Sequence, residues 1–165
     1  MAVTANPFDD PRLTAIGLLA EAFEGLMAKT APAFAKAGLS QIDFETLIRL
    51  ARSPEQRLRM SDLAAQTNLS TSGVTRVVDR LEREGLVERR ACLTDRRASY
   101  AHLTDAGCDR LKEVLPQHLA DIDAWFTGLL PEPQLEALLD ALRVIRDVVR
   151  PCATAGVEHA EVRSG

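Results

Sequence analysis

Hydroxyls and guanidiniums crowd one short stretch of this chain: Ser70, Thr71, Ser72, Thr75, Arg76 and Arg80. Side chains of these types do not break bonds unaided; they recognise. A hydroxyl can reach a phosphate or a base edge, and an arginine can grip guanine O6 and N7 with both arms. A second cluster follows at Thr94-Asp95-Arg96-Arg97. An aspartate two residues before an arginine at a hairpin tip can hold that guanidinium in one orientation, which suits entry into the narrow, negative minor groove. Ser70, Thr71, Ser72, Thr75, Arg76, Arg80, Asp95, Arg96 and Arg97 are therefore the candidate DNA-binding residues.

Other chemistry finds little support. His102, His118 and His159 stand in unrelated contexts, and neither a nucleophile–base pairing nor a glycine-rich phosphate loop occurs. No catalytic residue or cofactor is expected, and the chain reads as a non-enzyme. The three cysteines, Cys92, Cys108 and Cys152, are odd in number and lack CxxC spacing, so neither a disulfide framework nor a metal site is expected. Cys108 falls in the first turn after Thr104 and Cys92 just before the tip. Redox sensing through Cys92 or Cys108 is thus an alternative, because a helix N-terminus or nearby arginines activate a thiol.

The elements that must position the candidate residues are legible from local pattern. Val74, Val77, Val78 and Leu81 recur at i, i+3, i+4 and i+7, one apolar stripe of a helix that Ser70 caps and Gly85 ends. A short helix from Asp62 to Thr67 begins after Ser61 and turns at Asn68-Leu69, asparagine being tolerant of left-handed backbone. Residues 86–91 and 99–103 alternate loosely with period two around the Arg-rich tip, and Arg57-Leu58-Arg59 can add a third small strand. Helix, turn, helix and basic hairpin is the order of a winged helix-turn-helix. Taken singly, the stripe is ordinary core, and the arginines among Asp79, Glu82 and Glu84 are an ordinary solvated face. Their order and spacing favour the DNA module.

The segments SDLAAQTNLSTSGVTRVVDRLEREGLVER, TDRRAS and HLTDAGCDRL resemble the MarR (multiple-antibiotic-resistance) family of bacterial transcription factors. The likeness spans roughly residues 11–150. It implies that Thr71 to Glu84 is the recognition helix, that Arg97 reaches the minor groove, and that Asp95 orients the wing. It also implies a homodimer, and release from DNA when a small molecule or an oxidation event alters the distance or angle between the two recognition helices.

Around the module the chain reads as helical. Leu13, Ile16, Ala20, Phe23, Met27 and Phe34 mark one apolar face, with Pro32 as a point of kinking or division. Ser40 caps a helix with Asp43 at its third position. Thr104 caps another, which Pro116 is expected to bend or interrupt, and Pro131 and Pro133 open the last. There Leu135, Leu138, Leu142, Ile145 and Val149 form a heptad-like seam, which fits packing on its own monomer or on a second copy. The expected architecture is mainly α with a small β-hairpin wing: a single 1–165 unit in which a winged helix-turn-helix core at 40–103 is flanked by dimerisation helices at 11–37 and 104–150. Phe23, Met27, Phe44, His118 and Trp125 are possible liners of an effector pocket between those parts, but each is more often plain core, and no effector-binding residue is assigned.

The whole chain of 165 residues carries a net charge of −4. From Arg52 to Arg97, however, ten arginines face seven acids, while the remainder holds ten basic and seventeen acidic residues. Positive charge gathers on the module, as arginine, which contacts phosphate and guanine with two arms. No apolar run approaches the ~20 residues needed to span a membrane, nor is there a signal-like N-terminus, so a cytoplasmic protein is expected. The expected partners are double-stranded DNA, a second copy and a small-molecule effector. The competing reading is a winged helix used as a protein-interaction module without DNA contact.

Overall fold

The computed structural model describes residues 6–91 and 98–154. Six helices and one small sheet follow in the order α1 (Pro11–Lys36), α2 (Gln41–Ala51), β1 (Arg57–Arg59), α3 (Met60–Thr67), α4 (Thr71–Arg83), β2 (Val87–Ala91), β3 (Ser99–Leu103), α5 (Asp105–Trp125) and α6 (Glu132–Val149). The expectation of a mainly helical protein with a small wing is met. The sheet is antiparallel in the order β1-β3-β2, with Leu58 opposite Ala101 and Arg89 opposite Ala101 from the other side.

The valine stripe is the reason α4 exists. Valine is a weak helix former, yet Val74, Val77, Val78 and Leu81 are all buried. Each such burial contributes on the order of 1.5–3 kcal/mol, which outweighs the propensity deficit of a few tenths per residue. They pack with Leu47, Leu50 and Leu63 of the two preceding helices and with Val87 and Ala101 of the sheet. Gly85 then adopts φ +72°, the amide of Leu86 bonds the carbonyl of Leu81 at 2.9 Å, and the helix stops.

The start of α5 is tied to that stop. Thr104 Oγ1 donates to Gly85 O at 2.7 Å while accepting from the amide of Gly107 at 3.0 Å. A methyl group at Gly107 would stand 2.2 Å from Leu86 O, so only glycine admits this approach.

Several boundaries differ from the sequence expectation. Helix α3 begins at Met60 with Arg59 at its N-cap, not after Ser61. The buried Leu58 anchors β1, which passes directly into the helix and leaves Ser61 inside its first turn. Neither Pro32 nor Pro116 divides its helix. The carbonyls they deprive of a donor belong to Ala28 and Lys112, both exposed residues where water can substitute. Asn68 does take the left-handed conformation, at φ 57°.

Candidate nucleic-acid interface

Helix α4 turns its buried stripe inward and presents the opposite side to solvent. Ser72 and Arg76, one turn apart, are exposed on that outward side, as is Arg83. Ser70 accepts the amide of Gly73 through its hydroxyl at 3.1 Å, and its Oγ lies 3.1 Å from Ser72 Oγ. Ser70 is thus the N-cap, and both hydroxyls are exposed at the helix entrance. Thr71 is exposed at the first turn, whereas Thr75 is half-buried and spends its hydroxyl on Thr71 O at 2.8 Å. Arg76 forms no ion pair among the described residues.

Arg80 has a partner within the protein. Its guanidinium turns toward α2, where Nε donates to Asp43 Oδ1 at 3.1 Å and Nη2 reaches the same oxygen. Asp43 is only 5% exposed. Its other oxygen, Oδ2, accepts from the amide and the hydroxyl of Ser40, at 3.0 and 2.5 Å, completing the capping box of α2. Sequence reasoning assigned Asp43 that local role and missed its long-range one. No local pattern marks that second role, because 37 positions separate the two residues.

The wing is braced against the same helix. Arg89 on β2 pairs with Asp79 of α4, and the Arg89 amide donates to Glu82 Oε1 at 2.9 Å. Arg57 and Arg59 lie over the Tyr100 ring, and Arg59 Nε donates to the Tyr100 hydroxyl at 2.8 Å. His102 sits among these strands; burial lowers its pKa first, and the charges of Arg90 and Arg57 lower it further. The predicted tip residues Asp95, Arg96 and Arg97, with Cys92, lie outside the described residues. Cys108 is half-buried in the first turn of α5, its Sγ 3.7 Å from Gln56 Oε1. Among the described residues no cluster of His, Cys, Asp or Glu suits a metal ion, and no helix is long and apolar enough to cross a membrane.

The candidate pocket liners are dispersed. Phe44 and His118 pack with Phe34, ring centroids 4.4–4.8 Å apart, at the junction of α1, α2 and α5. Met27 Sδ accepts from Gln41 Nε2 at 3.0 Å, and Phe23 is exposed. Trp125 alone of the five borders an apolar recess of about 460 Å³ between α1, the end of α5 and the start of α6, where Lys29 Nζ stands 4.3 Å from its ring centroid.

Known proteins share this arrangement. The profile of the MarR family matches residues 37–98, the stretch from the end of α1 into the wing. The chain is 36% identical over 120 residues to the HTH-type transcriptional repressor YetL of Bacillus subtilis, covering 69% of this chain and 72% of that one. AbsC, a MarR family transcriptional regulator from Streptomyces coelicolor, superposes with a TM-score of 0.79 at 33% identity, over 86% of this chain and 96% of its own. Sco3205, a MarR family regulator of the same organism solved in complex with DNA, gives 0.77 at 28% identity, over 84% and 88%.

Proposed function

Because the chain belongs to the MarR family and is a DNA-binding transcriptional regulator, we propose that it is a repressor that grips a pseudo-palindromic operator as a homodimer and lets go when a small molecule binds. The observation that carries the DNA contact is the outward side of α4: Ser72 and Arg76 are exposed directly opposite a fully packed valine stripe. In this reading Arg76 takes the base edges, Ser72 and Thr71 meet phosphates at the helix entrance, and Ser70 and Thr75 shape that entrance. Asp95, Arg96 and Arg97 supply the minor-groove contact. The protein would meet its DNA in the cytoplasm.

Dimerisation is supported by apolar surface that the monomer leaves bare. Ile16 is 61% exposed and Phe23 59% on α1, and Val148 is 78% exposed on α6. No residue of α6 is fully buried, although its seam is that of a packed helix. Two copies would place two recognition helices about one DNA turn, ~34 Å, apart, which is what specific binding by a module of this size needs. A ligand that binds better to a dimer of different spacing then releases DNA through that difference in affinity alone.

Selection of bound sites from random duplex DNA tests the proposal. Recovery of a two-fold symmetric site, bound by two protomers and lost with Arg76→Ala, is the expected result. Equal binding of selected and random duplexes would refute it.

A further inference from the structure

We propose that Asp43 determines the specificity of DNA binding by holding Arg80 off the duplex and fixing the rotation of α4 against α2. The inference rests on the assignment of α4 as the DNA-reading helix and adds a residue to it that itself touches no DNA.

The geometry behind it is asymmetric. Asp43 is buried and its two oxygens have separate duties: Oδ2 closes the cap of α2 with Ser40, and Oδ1 receives two N–H groups of Arg80. The carboxylate is therefore fixed from one side by α2's own backbone, and Arg80 must come to it. Arg80 is one turn beyond Arg76, on the flank of α4 that faces α2. A planar guanidinium bonded at two nitrogens resists rotation of its helix more than a single contact would. The rotation of α4 decides whether Ser72 and Arg76 point into a groove, so this bond sets their aim.

Charge gives the second half. A cation neutralised by a buried carboxylate releases no phosphate counterions on binding, whereas a free one does. Released, Arg80 would sit one turn from Arg76 with a flexible stem and would add sequence-independent attraction to any phosphate backbone. Asp43 thereby removes a non-specific contact, and specificity is a difference of affinities.

The test uses the full-length protein, its selected operator and a scrambled duplex, with affinity measured across a range of salt by fluorescence anisotropy. Asp43→Asn is the informative variant: the carboxamide oxygen can still accept from Ser40, while its NH2 turned toward Arg80 repels the guanidinium. Affinity for the scrambled duplex should rise, and the operator preference should fall about tenfold. The salt slope on scrambled DNA should steepen by about 0.9 per freed arginine, roughly 1.8 for two protomers. Asp43→Asn combined with Arg80→Gln should return the slope to that of the unmodified protein. Arg80→Gln alone should leave it unchanged, because a glutamine amide still donates to Asp43. Equal loss on both duplexes with an unaltered slope would reduce Asp43 to a helix cap and overturn the inference. A slope that falls as much with Arg80→Gln as with Arg76→Gln would overturn it too. Should Arg76→Gln leave operator binding intact, the assignment of α4 fails instead, which separates the two failures.

Discussion

Arg150 donates from Nη2 to the backbone carbonyl of Gln66 at 2.7 Å, across 84 positions of sequence. Gln66 lies in the last turn of α3, where carbonyls have no partner within the helix, and a cation there also meets the negative end of the helix dipole. A reciprocal contact runs the other way: Arg49 Nη1 of α2 donates to Ala153 O at 3.0 Å, and Ala153 is buried. The end of the last helix is thus strapped to the first two helices of the DNA lobe.

Arg150→Ala should therefore destabilise the protein, by about 1.5–3 kcal/mol for a lost charge-assisted bond to a carbonyl. Chemical denaturation measures this as a lower midpoint at unchanged slope. Because Arg150 is committed to the Gln66 carbonyl, the salt dependence of DNA binding should not change. A lower salt slope in Arg150→Ala would show that the strap also contacts DNA.

What the sequence revealed and what it hid divide along one line, the separation between interacting residues. The stripe of α4, the left-handed Asn68, the stop at Gly85 and the caps at Ser40, Ser70 and Thr104 are all settled within a few residues, and the structure reproduces them. The pairing of Arg80 with Asp43 was not legible, because its partner comes from another helix 37 positions away. The same holds for Arg150 and Gln66. Pro32 and Pro116 mark points of kinking, bending or division by a local rule that counts the lost hydrogen bond and not the water that replaces it at an exposed carbonyl; neither divides its helix.

The bare apolar faces of α1 and α6 lead to a prediction about assembly. Phe23 and Ile145 are both exposed in the monomer, so a glutamate at either costs the isolated fold little. If these faces meet a second copy, the same change buries a charge without a partner and costs several kcal/mol of association. Phe23→Glu with Ile145→Glu should thus yield a folded monomer by light scattering at micromolar concentration, with helical circular dichroism retained and operator binding lost. A double variant that remains dimeric would place the interface elsewhere.

His118 supplies a pH dependence with a definite sign. Its ring packs 4.8 Å from both Phe34 and Phe44, and its Nδ1 is buried without a hydrogen-bond partner among the described residues. Burial lowers its pKa below the ordinary value near 6.5, with Asp121 opposing weakly. The folded protein therefore takes up this proton less readily than the unfolded chain does. Above the unfolded value both states are neutral and stability is unaffected. As pH falls through about 6.5 the unfolded chain is protonated first, so stability declines until the lower folded pKa is reached. His102 is shifted in the same direction and adds to the decline, so the comparison with a variant isolates the part due to His118. Urea unfolding between pH 7.5 and 5 should show a shallower decline for His118→Leu than for the unmodified protein. Identical declines would mean that His118 takes up its proton equally well in the folded and unfolded states, which would overturn the effect of burial.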